Sequence, residues 1–161
     1  MNRIINNIEM LNVIVAKLKN KSKKIVFTNG CFDIIHAGHV IYLNKAKKLG
    51  DILIVGLNSD SSVKKLKGNN RPVIIEDDRA YIISNLKPVD FVVIFNDNTP
   101  YNLINEIKPD YLVKGSDYKN QEVAGSDIVK SYGGQVVFID YVNEKSTTNI
   151  IDKIIKINSS S

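Results

Sequence analysis

The sequence predicts an α/β fold: a doubly wound, five-stranded parallel sheet of Rossmann-like type with an extra N-terminal helix. Three observations predict it. Short β-branched runs alternate with longer segments of helical spacing. The runs are continuously apolar, without the period-two alternation of a half-exposed strand, as expected for strands covered on both faces. Glycine or proline punctuates the joins between them.

Taken in order, Ile4, Ile8, Leu11, Val15 and Leu18 recur at three- and four-residue spacing, which predicts an amphipathic helix within residues 1–22 packed on the domain. Asn6, Asn7, Glu9 and Asn12 interrupt any signal-peptide core. The domain proper is expected over 23–157, with a frayed tail at 158–161. Its strand candidates are KIVFTN (24–29), DILIVGLN (51–58), DFVVIF (90–95), YLVKG (111–115) and QVVFIDY (135–141). Helices are expected at 37–49, 77–86, 100–107, 126–132 and 147–157. Thr99 before Pro100 reads as an N-cap followed by proline at the first helical position. Gly50 and the Gly133-Gly134 pair read as helix stops. Strand–helix–strand units with right-handed crossovers make an open, doubly wound sheet, in which ligands bind beyond the carboxyl ends of the strands where the winding reverses.

Composition bounds the function. A chain of 161 residues, 43% apolar and 24% charged, is most simply one globular domain. Its single cysteine forbids an internal disulfide and suits a reducing cytoplasm. No stretch approaches the roughly 18 uninterrupted apolar residues of a membrane span. The net charge of +5 is spread along the chain and its densest cluster, 17–24, has no interleaved aromatics, so nucleic acid and membrane are not the expected partners. Small anions such as phosphates are permitted by the charge.

Three stretches follow strand ends. The first, TNGCFDIIHAGHV, brings Thr28, Asn29, Gly30, Cys31, Phe32 and Asp33 off the first strand and puts His36 and His39, the only histidines, around Gly38 at a helix start. Zinc could draw on His36, His39 and Cys31 or Asp33, but no further histidine or cysteine completes a soft site. Either histidine alone would read as a polar residue satisfied at a helix N-terminus. Two together, three apart on one face just after a buried strand, favour a phosphate-handling site fed by the unpaired N–H groups and positive end of the helix. Cys31 reads as a small buried residue rather than a nucleophile. The second stretch carries Asn58 and Asp60 at a strand end, then Lys64, Lys65, Lys67, Arg71 and Arg79. Each lysine alone reads as part of a solvated loop; as a group they could close over a phosphate chain and neutralise developing charge. Arg79 could pair with a local acid or reach a phosphate with its fork of donors. In the third, Lys114, Gly115 and Asp117 follow one strand, and Ser146, Thr147 and Thr148 form an N-cap whose spare hydroxyls could meet phosphates.

The run GCFDIIHAGH, preceded by a strand and an asparagine, resembles the HxGH motif of the cytidylyltransferase-like nucleotidyltransferases. With VGLNSD, LKGNNRPV, VDFVVIFNDNTP, LVKGSDYKNQEVAGSDIV, GGQVVFI and STTNIIDKI following in order, residues 24 to about 155 are similar to the heptose 1-phosphate adenylyltransferases of bacterial ADP-heptose synthesis. The resemblance implies ATP and a sugar 1-phosphate as substrates, Mg²⁺ as cofactor, a homodimer, and a sugar kinase acting upstream as a separate protein. It implies His36, His39 and Lys67 as catalytic groups. Thr28, Asn29, Gly30, Cys31, Phe32, Gly38, Lys114, Gly115, Asp117, Ser146, Thr147 and Thr148 would bind nucleotide. Asp33, Asn58, Asp60, Arg71 and Arg79 would bind the acceptor, with Asp33 also orienting Mg²⁺ directly or through water. The family pattern often has a second glycine where this chain has Ser116. Cytidylyltransferases acting on glycerol 3-phosphate carry Arg-Thr-Glu-Gly-Ile-Ser-Thr-Thr, whereas this chain reads YVNEKSTT and lacks that arginine and glycine.

Overall fold

A computed structural model of the chain describes residues 3–140 and 146–159. The strands are β1 (Ile4–Ile5), β2 (Ile25–Gly30), β3 (Ile52–Asn58), β4 (Phe91–Phe95), β5 (Tyr111–Gly115) and β6 (Gln135–Ile139). The helices are α1 (Ile8–Asn20), α2 (Ala37–Lys47), α3 (Asp60–Lys67), α4 (Glu76–Ser84), α5 (Tyr101–Ile107), α6 (Ser126–Ser131) and α7 (Thr147–Ser159), with a 3₁₀ turn at Ser116–Tyr118. Tyr141 of the last expected strand, residues 143–145 before the STT run, and Ser160 and Ser161 of the tail lie outside the described residues.

All the strands are parallel, in the order β1-β4-β3-β2-β5-β6. From β2 the chain winds through α2 to β3 and on to β4, then returns through α5 to the other side of β2 and out to β6. The winding therefore reverses between β2 and β5. Successive residues of β2 explain its unbroken apolar run. Ile25 and Phe27 pack with Leu11 and Val15 of α1 and Leu103, Ile104 and Ile107 of α5. Val26 packs on the opposite face with Leu43 and Ala46 of α2 and Ile83 of α4. Helices cover both faces, so neither side needs polar residues.

The sheet has six strands where five were expected. Asn7 accepts a hydrogen bond at Oδ1 from the Met10 N–H (2.8 Å), which starts α1 only at Ile8. Ile4 and Ile5 fit helical spacing but precede that cap. They extend instead and pair with Val92 and Val93 at the sheet edge. Ile8, expected on the buried face, is exposed, while Leu11 and Val15 are buried. A second difference is α3, which the lysine-rich composition had disguised as loop. Ser59 caps it by accepting from the Ser62 N–H (3.2 Å), and the fully buried Val63 anchors it. At α5, Pro100 rather than Thr99 occupies the cap position, and no side chain caps the helix. The glycine pair behaves as expected. Gly133 (φ 85°) donates to Lys130 O and Gly134 to Val129 O, closing α6 in a Schellman arrangement.

Candidate active site

The reversal of winding opens a cleft of about 540 Å³ at the carboxyl ends of β2 and β5. Lys114, the fourth residue of β5, crosses the divide: its Nζ donates to Asn29 Oδ1 at the end of β2 and lies 5.4 Å from the Tyr118 ring centroid. Burial of this ammonium lowers its pKa to about 8, an effect the Asp117 carboxylate partly opposes. It remains largely charged at neutral pH, held with little water around it.

The loop from β2 to α2 is bent against its own preferences. Phe32 (φ 46°) and Ile34 (φ 52°) sit in the left-handed region, at a cost of about 1–3 kcal/mol each. Five hydrogen bonds hold it there. Arg79 Nη1 donates to Cys31 O (2.6 Å), and Thr147 Oγ1 donates to Asp33 O (2.7 Å). The Asp33 carboxylate accepts from Arg71 Nε (2.8 Å) and from the backbone N–H groups of Val73 (2.9 Å) and Ile74 (3.0 Å). Burial pushes the Asp33 carboxyl up. The two N–H groups and the guanidinium outweigh it and hold the group below the ordinary carboxylate range. A Cβ at Gly30 would lie 3.1 Å from the Phe32 ring, so the glycine lets that ring fold back over the loop.

The bend delivers the histidines. His36 is the N-cap of α2 and His39 faces the cleft one turn on. Their ring centroids are 3.9 Å apart at 31°, and the Phe32 ring centroid is 5.4 Å from that of His39. The His36 backbone N–H points at His39 Nδ1 (3.4 Å), which leaves the proton of the neutral ring on Nε2. Burial, then repulsion from His36 and Lys67, lowers the His39 pKa to about 4. His39 is therefore a neutral hydrogen-bond donor throughout the physiological range.

A pH dependence of stability follows. Between pH 6.5 and about 4, the unfolded chain protonates His39 and the folded chain does not. The folded state thus loses stability as pH falls through that window and keeps it in full above. Urea midpoints at pH 7 and pH 4.5 should fall further for the wild type than for His39→Gln, which lacks the group; equal drops would refute the linkage.

Residues 27–153 match the family described as cytidylyltransferase-like. The chain belongs to this family. It is a nucleotidyltransferase. The bifunctional protein HldE of Campylobacter concisus is 60% identical over 150 residues, 93% of this chain and 30% of that protein. HldE of Geobacter metallireducens is 54% identical over 152 residues, 94% of this chain and 31% of that protein. The chain thus spans about a third of the length of these relatives. Among solved structures, a lipopolysaccharide core biosynthesis protein from Thermoplasma volcanium is 32% identical with a TM-score of 0.62, matching 76% of this chain and 99% of its own. A pantoate-β-alanine ligase from Francisella tularensis shares the fold at 18% identity and a TM-score of 0.64, over 97% of this chain and 78% of its own.

In this cytidylyltransferase-like chain the cleft gathers most of the residues singled out from the sequence. Asn29, Gly30, Cys31, Phe32, Asp33 and His39 line it from the first stretch; Asn58, Lys67 and Arg71 from the second; Lys114, Gly115, Asp117 and Thr147 from the third. The Cys31 thiol is pushed up by burial, against its cationic neighbours, which keeps it protonated. His36 stands outside the lining and touches the cleft through the His39 ring.

The other candidates are corrected by their contacts. Thr28 is fully buried, sharing a hydrogen bond with Tyr42 Oη (2.8 Å) and donating to Val113 O (3.0 Å), so it ties β2 to β5 and α2 instead of meeting nucleotide. Gly38 is buried within the first turn of α2, outside the lining. Arg79 has no exposed surface. It donates to Ile74 O (2.9 Å), Cys31 O (2.6 Å), Asn58 O (2.9 Å) and Asp60 Oδ1 (2.7 Å), which leaves neither Arg79 nor Asp60 for substrate. Ser146 Oγ accepts from the Asn149 N–H (3.1 Å) as a plain N-cap of α7, and Thr148 is exposed away from the cleft. Asp33 does not fit Mg²⁺: its side chain is 1% exposed and already paired with a guanidinium. Among the described residues no group of three or more His, Cys, Asp or Glu could hold a metal ion.

The cleft also uses residues that the sequence reading passed over. Asn98, Thr99 and Pro100 line it beyond the end of β4, which the strand-end rule already pointed to. Tyr118, Glu122, Val123 and Ala124 line the β5 side. Only Tyr118, adjacent to Asp117, had a local signal; the others arrive through the turn that precedes α6.

Proposed function

We propose that the chain transfers AMP from ATP to D-glycero-β-D-manno-heptose 1-phosphate, giving ADP-heptose and pyrophosphate for lipopolysaccharide synthesis. The observation that carries the reading is a neutral imidazole donor, His39, and a desolvated ammonium, Lys114, lining one cleft at the β2–β5 reversal. Identity of 56% and 60% to two bifunctional HldE proteins supports the choice of sugar.

The sugar phosphate oxygen attacks the α-phosphorus of ATP in line and pyrophosphate leaves. The nucleophile is already an anion, so no base is required. The protein must bring two mutually repelling anions together and stabilise charge at phosphorus. His39 Nε2–H donates to a phosphate oxygen where charge accumulates, and His36 fixes the tautomer and stacking of that ring. Lys114 offsets charge from the β5 wall and Lys67 from the end of α3. Mg²⁺, implied by the family, would come with the triphosphate, since Asp33 offers it no face.

On this reading a sugar kinase acts upstream in the pathway, and the working state is a homodimer in the cytoplasm. No helix of the described residues is long and apolar enough to cross a membrane. The test pairs each of the four nucleoside triphosphates with the heptose 1-phosphate and with glycerol 3-phosphate, following pyrophosphate. Release is expected from ATP with the heptose alone. Turnover of CTP with glycerol 3-phosphate would move the chain to the cytidylyl branch, and nucleotide binding with no turnover at all would make it a binding module.

A further inference from the structure

We infer that Arg71, aimed by Asp33, is the fork that seats the acceptor's phosphate, which makes Asp33 a positioning residue in place of a metal ligand. The inference rests on the proposed transfer to a phosphorylated acceptor and names the group that recognises it.

Arg71 lines the cleft with a side chain 16% exposed. Its Nε is fixed on Asp33 Oδ2 at 2.8 Å, but its Nη2 is buried with no hydrogen-bond partner. A buried cationic N–H group left unmatched is costly, and an incoming anion removes that cost. Guanidinium suits this task because its planar donors match two phosphate oxygens at once.

Asp33 supplies the aim. Its carboxylate holds Arg71 and the Val73 and Ile74 N–H groups together, so the loop carrying Arg71 is registered on the loop carrying His39. Its own carbonyl is held by Thr147 at the start of α7. An asparagine here would present an NH₂ group toward one of those donors and release the loop.

Position assigns the fork to the acceptor. The sheet order β3-β2-β5 puts the Lys114, Asp117, Tyr118 and Glu122 wall on one side of the Asn29–Phe32 loop. Asn58, which ends β3, and Lys67 and Arg71 beyond it lie on the other. A nucleoside at the β2–β5 reversal leaves the β3 side for the second substrate.

The experiment measures steady-state pyrophosphate release with each substrate varied, for wild type, Arg71→Ala, Asp33→Asn and the double variant. In parallel, calorimetric binding of the heptose 1-phosphate is followed in the presence of a non-hydrolysable ATP analogue. Arg71→Ala should raise KM and Kd for the sugar phosphate about 10- to 100-fold, the range for a lost charged hydrogen bond, with the KM for ATP nearly unchanged. Asp33→Asn should shift the same constants in the same direction, and the double variant should be no worse than Arg71→Ala, because both act through one contact. Arg71→Lys should recover part of the loss. Equal shifts in both KM values, additive losses, or undiminished sugar phosphate binding in Arg71→Ala would each overturn the inference. A wild type that binds the sugar phosphate through Arg71 but releases no pyrophosphate would end the proposed transfer and leave the fork standing.

Discussion

Replacing His39 with alanine is expected to lower pyrophosphate release about 100- to 1000-fold, with the circular dichroism spectrum unchanged. The magnitude is that of a single preorganised donor removed from a site where charge develops, about 2.7–4 kcal/mol. Three features put His39 in that class. The ring is in contact with both the His36 and Phe32 rings, so little reorganisation is needed when the phosphorus becomes crowded. Its Nδ1 is turned to the His36 backbone N–H, so Nε2 carries the proton. Its pKa, lowered to about 4 by burial first and by His36 and Lys67 after it, keeps it a neutral donor at working pH. The loss should appear in kcat more than in the KM for ATP, since the donor matters most where charge builds up. Asparagine at 39, with a shorter donor, should recover little. Turnover within threefold of wild type would remove His39 from the chemistry and leave Lys114 and Lys67 to carry it.

That site was legible in the sequence to the extent that it depends on chain order. A parallel sheet wound both ways puts its reactive residues at or beyond the carboxyl ends of strands: Asn29, Asn58 and Lys114 sit in the last residues of β2, β3 and β5, and His39 and Asp117 follow β2 and β5. Unbroken apolar runs gave β2 to β6 for a related reason: burial on both faces leaves runs such as IVF and LIV. The failures share a different cause. Whether a polar side chain faces ligand or protein depends on partners distant in sequence. Thr28 meets Val113 across 85 positions, Arg79 meets Cys31 across 48, and Thr147 meets Asp33 across 114. No spacing pattern encodes those meetings. The missed β1 and α3 were decided by local caps, Asn7 and Ser59, which outweighed an apolar period in one case and a run of lysines in the other.

Arg79 carries the second large effect, on the folded state. Replacing it with methionine is expected to destabilise the protein by about 3–5 kcal/mol, the range for breaking a buried ion pair by removing one partner. The loss is large because four acceptors depend on one guanidinium. Ile74 O, Cys31 O and Asn58 O lose their donor, and the Asp60 carboxylate, 29% exposed, loses its ion-pair partner. Methionine fills much of the volume, so the deficit reflects unmatched polar groups more than a cavity. Asp60→Asn should cost less, because asparagine still offers an oxygen to Arg79 and the side chain reaches solvent. The consequence extends to catalysis, since the carbonyls that Arg79 ties together belong to the segments after β2, at the end of β3 and before α4, all bordering the cleft. The fraction of Arg79→Met that remains folded should therefore turn over more slowly, with both substrates' KM values raised. Urea unfolding measures the first effect and steady-state kinetics below the transition the second. Stability within about 1 kcal/mol of wild type would show that these segments are held by other contacts. A destabilised protein with unaltered kinetics would separate the fold of the loops from their part in the reaction.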